Sequence, residues 1–304
     1  MESKLVSVII PTYNRADYLN QAIESVLSQT YTHFELLILD NCSVDNTPAI
    51  VSKFTDSRIK YIRHQCNIHS CANWAYGIYW ASGEYLCVLG DDDKYTPSFL
   101  SARVDAFNKN ENIAAVFSNY DICDADGLIQ GTNPLVFDNE LVLSGEKLVK
   151  CAVNGWFIGA TLYKRAIVQE LFDKSVMAGK ALDTLLNVNI AISKNKVVWI
   201  KSKGLIYRWH ENQDTVRNTD LVLICHIAAC TFPLMFDECI GYRKLLAKSS
   251  ISALTILGFG AWTKRKHTMA RRFVKMELIV NYLQIKTWIR LFRYSIPIHR
   301  HKTS

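Results

Sequence analysis

Apolar, β-branched runs that break off at polar turns, with helix-period stretches between them, constrain the fold of this 304-residue chain most. The first run spans Leu5 to Ile10 and stops at Pro11, with turn-prone Asn14 close behind. Leu19, Ile23, Val26 and Leu27 follow at helical spacing, and a second run, Phe34 to Leu39, ends on Asp40 and Asn41. The alternation continues with helical character over Thr47–Phe54, a strand at Ile59–Arg63, a helix over Ser70–Ala81 and a strand at Tyr85–Leu89. Runs that are apolar on both pleat faces belong to buried parallel strands, and parallel neighbours need crossover helices. The reading is an α/β fold, Rossmann-like, with a mostly parallel sheet covered by helices on both faces.

The later pattern predicts helices at Pro97–Asn108, Ser144–Val153, Arg165–Leu171 and Asp183–Ile192, and strands at Ile113–Ser118 and Lys196–Ile200. Asp121–Asn139 reads as loop or irregular hairpin, since Asp, Gly and Pro dominate it. There is no internal repeat and no P-loop, and Pro11 to Asn14 stand where a dinucleotide fold would carry a glycine-rich turn. The nine cysteines form neither a CxxC pair nor a zinc pattern, which predicts reduced thiols in a cytosolic setting. Met1 to Lys4 run straight into the first strand, so no leader peptide is expected.

The net charge of +7 divides unevenly. Residues 243–304 hold 14 Lys and Arg against one acid, Glu277, whereas residues 1–242 hold 21 basic and 27 acidic side chains. Such asymmetry marks a functionally separate, basic C-terminal extension. Ile251–Trp262 is too short for a membrane span, and the basic clusters at Lys264–Lys266 and Arg271–Arg272 precede an aromatic and aliphatic stretch. That order predicts helices lying on an anionic membrane surface. The alternative is a helical pair packed on the main domain with solvated basic faces. No nucleic-acid recognition module accompanies the charge, so nucleic acid is not an expected partner.

Asp91, Asp92 and Asp93 follow the Tyr85–Leu89 strand after a single glycine. Three adjacent carboxylates repel one another, and two readings accommodate them. One is a solvated acidic turn. The other is a divalent cation shared with a diphosphate, because hard cations take carboxylate and phosphate oxygens together. Open parallel sheets bind ligands beyond the carboxyl ends of their strands. Asp40 also ends a strand, so both acidic loops face one crevice.

Beyond these arguments, the chain resembles the family-2 glycosyltransferases with a GT-A fold, of the bacterial surface-polysaccharide type. The resemblance is carried by Val6 to Asn14, Leu19, Ile23, Ser25, Val26, Gln29 and Thr30. It continues through Leu39, Asp40, Ser43, Asp45, Thr47, Asn73, Gly77, Ala81, Gly83, Glu84 and Tyr85 to the aspartate triplet, and covers about residues 4–215. It implies a catalytic domain over 1–242, with a nucleotide-sugar half at 1–95 and an acceptor half at 96–215, ahead of the extension at 243–304. It also implies a nucleotide-diphosphate sugar donor and a divalent metal, Mn2+ or Mg2+.

Site residues follow from the resemblance position by position. Pro11, Thr12, Tyr13 and Arg15 match the loop over the nucleotide. Asp40 matches the acid that meets the base in uridine-nucleotide enzymes, which favours a UDP-sugar, although the second acid expected there is replaced by Asn41. Asp93 matches the metal ligand, and Asp91 and Asp92 are expected at the ribose and nucleotide. Trp156 and Phe157 fall in the acceptor segment, where a core role for Trp156 is the alternative. Asp183 matches the catalytic acid-base, with Leu182 in place of the usual preceding Glu; a helix N-cap is its bland alternative. In the segment Tyr207–His210, His210 is expected at the metal and Arg208 at phosphate.

The implied reaction is inverting transfer of a sugar to a hydroxyl of a glycan or lipid-linked glycan. The expected location is cytoplasmic, peripheral on the inner membrane face. A non-catalytic glycan- or membrane-binding protein that retains the fold is the rival. A nucleotidylyltransferase would require a glycine-rich basic first loop, which is missing.

Overall fold

The computed structural model describes residues 3–133, 137–154, 156–175 and 182–213, together with residues 230, 242, 245 and 246. The expected extension over 243–304 and its membrane face therefore lie outside the described residues, but for Leu245 and Leu246. In the described residues no helix is long and apolar enough to cross a membrane.

The chain begins β1 (Val6–Thr12), α1 (Ala16–Leu27), β2 (Phe34–Asp40), α2 (Thr47–Val51), β3 (Ile59–Arg63), α3 (Ser70–Trp80) and β4 (Tyr85–Val88). It continues with β5 (Lys94–Tyr95), α4 (Phe99–Lys109), β6 (Ile113–Ser118), β7 (Asp121–Cys123), β8 (Ile129–Thr132) and β9 (Leu141–Leu143). Then come α5 (Gly145–Asn154), a 3-10 turn at Ile158–Ala160, β10 (Thr161–Lys164), α6 (Arg165–Ser175), α7 (Leu182–Ile192), β11 (Lys196–Ile200) and β12 (Leu205–Arg208).

Eight strands form the main sheet in the order β3-β2-β1-β4-β10-β6-β11-β9. The first four are parallel, β10 and β9 run antiparallel to their neighbours, and β6 pairs with β11 in parallel. Alternate residues of β1 and β2 serve two cores. Val8, Ile10, Leu36 and Ile38 pack on one face with Leu19, Ile23 and Phe99, while Ile9, Leu37 and Leu39 pack on the other with Ile78 and Leu186. Burial on both faces explains why these strands read as unbroken apolar runs. Helix α3 lies so close to the sheet that a Cβ on Gly77 would come within 2.5 Å of Leu39 Cδ1.

The expectation that Pro11 ends the first strand is corrected: β1 continues to Thr12, with Pro11 opposite Leu39. The β1 groups that face β4 include Ile9 O, which accepts the N–H of Leu89. The Pro11 nitrogen falls on that same side, beyond the last β4 partner, so its missing hydrogen costs no ladder bond. A second sheet, β5-β12-β7-β8, was not foreseen. It contains the hairpin read within Asp121–Asn139 and places β12 beside the two-residue strand that follows the aspartates.

Candidate active site

A cleft of about 510 Å³ opens over the carboxyl ends of β1, β2 and β4. Strand order arranges its walls. The aspartate loop after β4 lies in the middle. On the β1–β2 side are Pro11, Thr12, Tyr13, Arg15, Asn41, Asn67 and His69; toward β10 are Phe157, Gly159, Leu182 and Asp183.

The aspartate loop is a tight turn closed by the N–H of Asp93 donating to Gly90 O at 3.1 Å. A Cβ at Gly90 would come within 2.9 Å of Asp93 Oδ2 and 3.1 Å of Asp92 Oδ1, so a side chain there would push the two carboxylates aside. All three carboxylates line the cleft. Asp93 is buried and accepts the backbone N–H of Arg208 at 2.8 Å. Asp92 Oδ2 lies 3.0 Å from His210 Nε2, and Asp91 Oδ1 lies 3.9 Å from Arg15 Nε. Burial, and then the charge of Asp92, push the Asp91 carboxyl up to about 7 against the pull of Thr12, Arg15 and the Tyr13 N–H. The same two causes hold Asp93 well above the ordinary carboxylate range.

The residues present fit a divalent cation. They offer hard oxygen ligands whose mutual repulsion a cation would relieve. Among the described residues no three His, Cys, Asp or Glu side chains form a ready metal cage.

Several expected residues sit at a different depth. Asp40 is fully buried and does not line the cleft. Its carboxylate accepts the Ser43 N–H at 2.7 Å and the Tyr61 hydroxyl at 2.6 Å, and Arg63 Nε lies 3.3 Å away. With its oxygens so engaged, it supports the wall from beneath, and Asn41 reaches the cleft instead. Arg208 is likewise not free for phosphate. Its guanidinium donates to the carbonyls of Asp92 at 2.9 Å and Ala125 at 2.6 Å and to Gln21 Oε1 at 2.8 Å, and stacks 4.7 Å over the Tyr18 ring. Trp156 belongs to the core: its indole donates to Thr161 Oγ1 at 2.9 Å and its ring packs on Phe117 and Tyr163. Phe157 does face the cleft, backed by edge contacts from Tyr207 and a tilted Tyr120 ring.

Asp183 is half-buried in the first turn of α7 and lines the cleft. Its Oδ1 accepts the adjacent Thr184 N–H at 2.7 Å, and burial raises its carboxyl above the usual range. Arg15 reaches across to the far side of the chain, donating to Asn212 O at 2.9 Å. His210 is buried, tilted against Tyr18 at 4.9 Å.

The cleft wall also contains residues not anticipated: Asn67, His69, Ser70, Trp74, Tyr207 and Gln213. His69 enters α3 with a positive φ of 71°, which turns the Asn67–Ser70 segment toward the cleft. No local signal announces that turn: a φ of 71° with a ψ of 151° belongs to a region that glycine normally occupies, and no glycine stands there. Tyr207 was legible only as part of its four-residue segment.

The model of glycosyl transferase family 2 matches residues 7–172, more than half of the chain. This chain belongs to that family. A similar relative is an Escherichia coli protein named UDP-Glc:alpha-D-GlcNAc-diphosphoundecaprenol beta-1,3-glucosyltransferase WfgD, 34% identical over 129 residues, or 42% of this chain and 51% of that protein. The chain thus spans about half the length of the curated relatives it matches. The same fold recurs in solved structures. Staphylococcus aureus TarS 1–349 in complex with UDP-GlcNAc superposes with a TM-score of 0.60 at 16% identity, over 95% of this chain and 88% of that one. The mannosyltransferase PcManGT from Pyrobaculum calidifontis, in complex with GDP-Man and Mn2+, gives 0.58 at 14% identity, over 97% and 89%. The GT-A fold follows from these matches. Asp183, Arg208 and His210 lie beyond the stretch that the family model covers.

Proposed function

We propose that this family-2 member is an inverting transferase that moves one sugar from a nucleotide-diphosphate sugar to a hydroxyl of a glycan or lipid-linked glycan. The observation that carries the reading is the placement of Asp183 on one wall of a cleft whose centre is the aspartate triplet. Donor phosphates belong at the triplet. The nucleoside then lies toward Tyr13, and the sugar projects toward Asp183 and Phe157.

Asp183 accepts the proton of the acceptor hydroxyl as that oxygen attacks the anomeric carbon, and the bond from that carbon to the diphosphate oxygen breaks. A single displacement inverts the anomeric centre and needs no covalent sugar intermediate. The raised carboxyl of Asp183 makes it a stronger base than an exposed aspartate once ionised. Phe157 offers an apolar face to the acceptor, and Arg15 brings a positive charge to the phosphate side of the cleft. Asp93, in the same loop whose Asp92 meets the buried His210 ring, would hold Mn2+ or Mg2+, which when bound offsets the charge building on the departing diphosphate. The diphosphoundecaprenol-linked substrate in the name of the Escherichia coli relative supports a lipid-linked acceptor and a place at the inner membrane face. The basic extension over 243–304 supports contact with an anionic bilayer.

Slow hydrolysis of a nucleotide-sugar panel with Mn2+ or Mg2+, read as released nucleoside diphosphate, tests the proposal. Turnover confined to one donor, dependent on the ion and abolished in Asp93→Ala, is the expected result. A folded protein that binds neither ion nor nucleotide would instead be a non-catalytic binding protein on the same scaffold.

A further inference from the structure

Every residue of α7 from Leu185 to Ile192 is buried, and only its first turn lines the cleft, through Leu182 and Asp183. One turn further in, on the same face as Asp183, stands the fully buried Asn187. Its Nδ2 donates to Trp156 O at 2.9 Å. That oxygen can only accept, so the NH2 end must face it, and Asn187 Oδ1 takes the Tyr163 hydroxyl at 2.7 Å. Both partners are themselves held. Tyr163 lies in β10 opposite Leu86 of β4, the strand that leads into the aspartate loop. Trp156 is fixed by its backbone N–H on Cys151 O at 2.8 Å and by its indole on Thr161 Oγ1 at 2.9 Å. The Thr161 hydroxyl donates onward to Phe157 O at 2.7 Å. Leu186, Val188 and Ile190 beside Asn187 are apolar and buried, so packing alone does not call for an amide here. What the amide adds is direction, since two hydrogen bonds fix both the height and the rotation of the helix.

From this arrangement we infer that Asn187 is a positioning residue, tying the turn of α7 that bears Asp183 to the Trp156–Phe157 segment and, through Tyr163, to the main sheet. The inference rests on the reading of Asp183 as the base. The Asp183 carboxylate bonds to Thr184 of its own turn, so its place in the cleft is set by where the helix stands. Proton transfer needs that carboxylate within hydrogen-bond reach of the attacking hydroxyl, and a displacement of about 1 Å can cost about 10²-fold in rate. The same two bonds fix the separation between Asp183 and Phe157, both of which line the cleft.

Asn187→Leu, close in size, tests this in the full chain. Three readouts are taken: hydrolysis of the nucleotide-sugar panel with Mn2+, calorimetric binding of UDP and GDP, and amide hydrogen exchange. In hydrolysis a water replaces the acceptor hydroxyl: its oxygen bonds the anomeric carbon as the diphosphate leaves, and its proton passes to Asp183. The variant should show a kcat about 10–100-fold lower with the nucleoside diphosphate affinity unchanged, the scale of a misplaced base. Faster exchange should be confined to residues 156–161 and 182–187. The double variant Asp183→Asn/Asn187→Leu should be no slower than Asp183→Asn alone, because a residue that acts through Asp183 then has nothing left to position. Leu100→Ala, a cavity in the core on the other face of the sheet, controls for lost stability and should keep the wild-type kcat where it is folded. A wild-type kcat in Asn187→Leu, losses that multiply in the double variant, or an equal loss in Leu100→Ala overturns the inference and leaves the transferase reading standing. Unchanged exchange at both segments overturns it too, whether or not a donor turns over. Wild-type hydrolysis by Asp183→Asn would remove the base reading and this inference together.

Discussion

The backbone N–H of Arg208 donates to Asp93 Oδ1 at 2.8 Å, joining positions 115 residues apart. The innermost carboxylate of the cleft is thereby held by the strand that leads to His210, whose own ring meets Asp92. Residues 208–213 close on themselves as well, with Gln213 Nε2 donating to Arg208 O. The centre of the cleft is thus a joint between an early loop and a late strand.

Truncating Arg208 should loosen that joint. Arg208→Ala leaves the carbonyls of Asp92 and Ala125 without their guanidinium donor, and a loss of about 2–4 kcal/mol is expected in urea unfolding. Arg208→Lys should recover little, because an ammonium group cannot span partners that a planar fork reaches on several sides. An unchanged unfolding midpoint in the alanine variant would contradict the structural role assigned to this side chain.

Removing the candidate base should separate binding from chemistry. Asp183→Asn is expected to lower kcat by about 10²–10⁴-fold, with affinity for the nucleoside diphosphate unchanged. Because burial raises the Asp183 carboxyl, the acid limb of the kcat/KM profile should lie above the pH of an ordinary aspartate. Activity is lost as pH falls through that limb, since the protonated form cannot accept the hydroxyl proton. A profile flat down to pH 4 would exclude Asp183 as the base.

The two neighbouring aromatics should respond in opposite ways. Trp156→Ala opens the core beneath the cleft and should cost about 3–5 kcal/mol of stability. Phe157→Ala should cost less, because its ring is only partly buried, while raising the KM for acceptor. Equal effects of the two substitutions on acceptor KM would argue against this division.

At the opposite end of the sheet, Glu35 provides a pH-dependent brace. Burial alone would raise its carboxyl, but donors from Lys60, Ser7 and Ser82 outweigh that and lower it to about 2 from 4.5. The folded value is depressed, so the stabilisation is complete above pH 4.5 and lost as pH falls toward 2. Lys60 is more than half exposed, and solvent screening limits the contribution to about 1–2 kcal/mol. Glu35→Gln should remove this part of the acid-side slope in thermal melts between those pH values; an unaltered slope would refute it.

Legibility in the sequence followed burial. Strands β1, β2, β4, β6 and β11 were readable because both of their faces are covered, which demands continuous apolar runs. The second sheet was not, since β5 has two residues, β8 is exposed throughout, and β12 has no two-residue period. Its strands exist through pairings with distant segments. The site shows the same limit. Asp91, Asp92 and Asp93 reach the cleft at the strand end where their placement set them, and Asp183 and Phe157 line it at positions that only the resemblance had marked. Asp40 and Trp156 do not, because depth depends on partners brought by register: β2–β3 pairing sets Arg63 opposite Asp40 and Tyr61 opposite Ile38. Likewise, the turn that exposes Asn67 depends on the left-handed backbone of His69.

The pairing of β5 with β12 also bears on how family-2 proteins can be recombined. A chimera spliced just after the aspartate triplet would inherit its carboxylates from one parent and the strand that braces them from the other. Any mismatch between those two would appear as a displaced Asp93, even where the whole triplet loop had been transplanted. A workable exchange of the aspartate loop therefore has two pieces, the segment up to β5 and the short segment from 205 to 213, moved together.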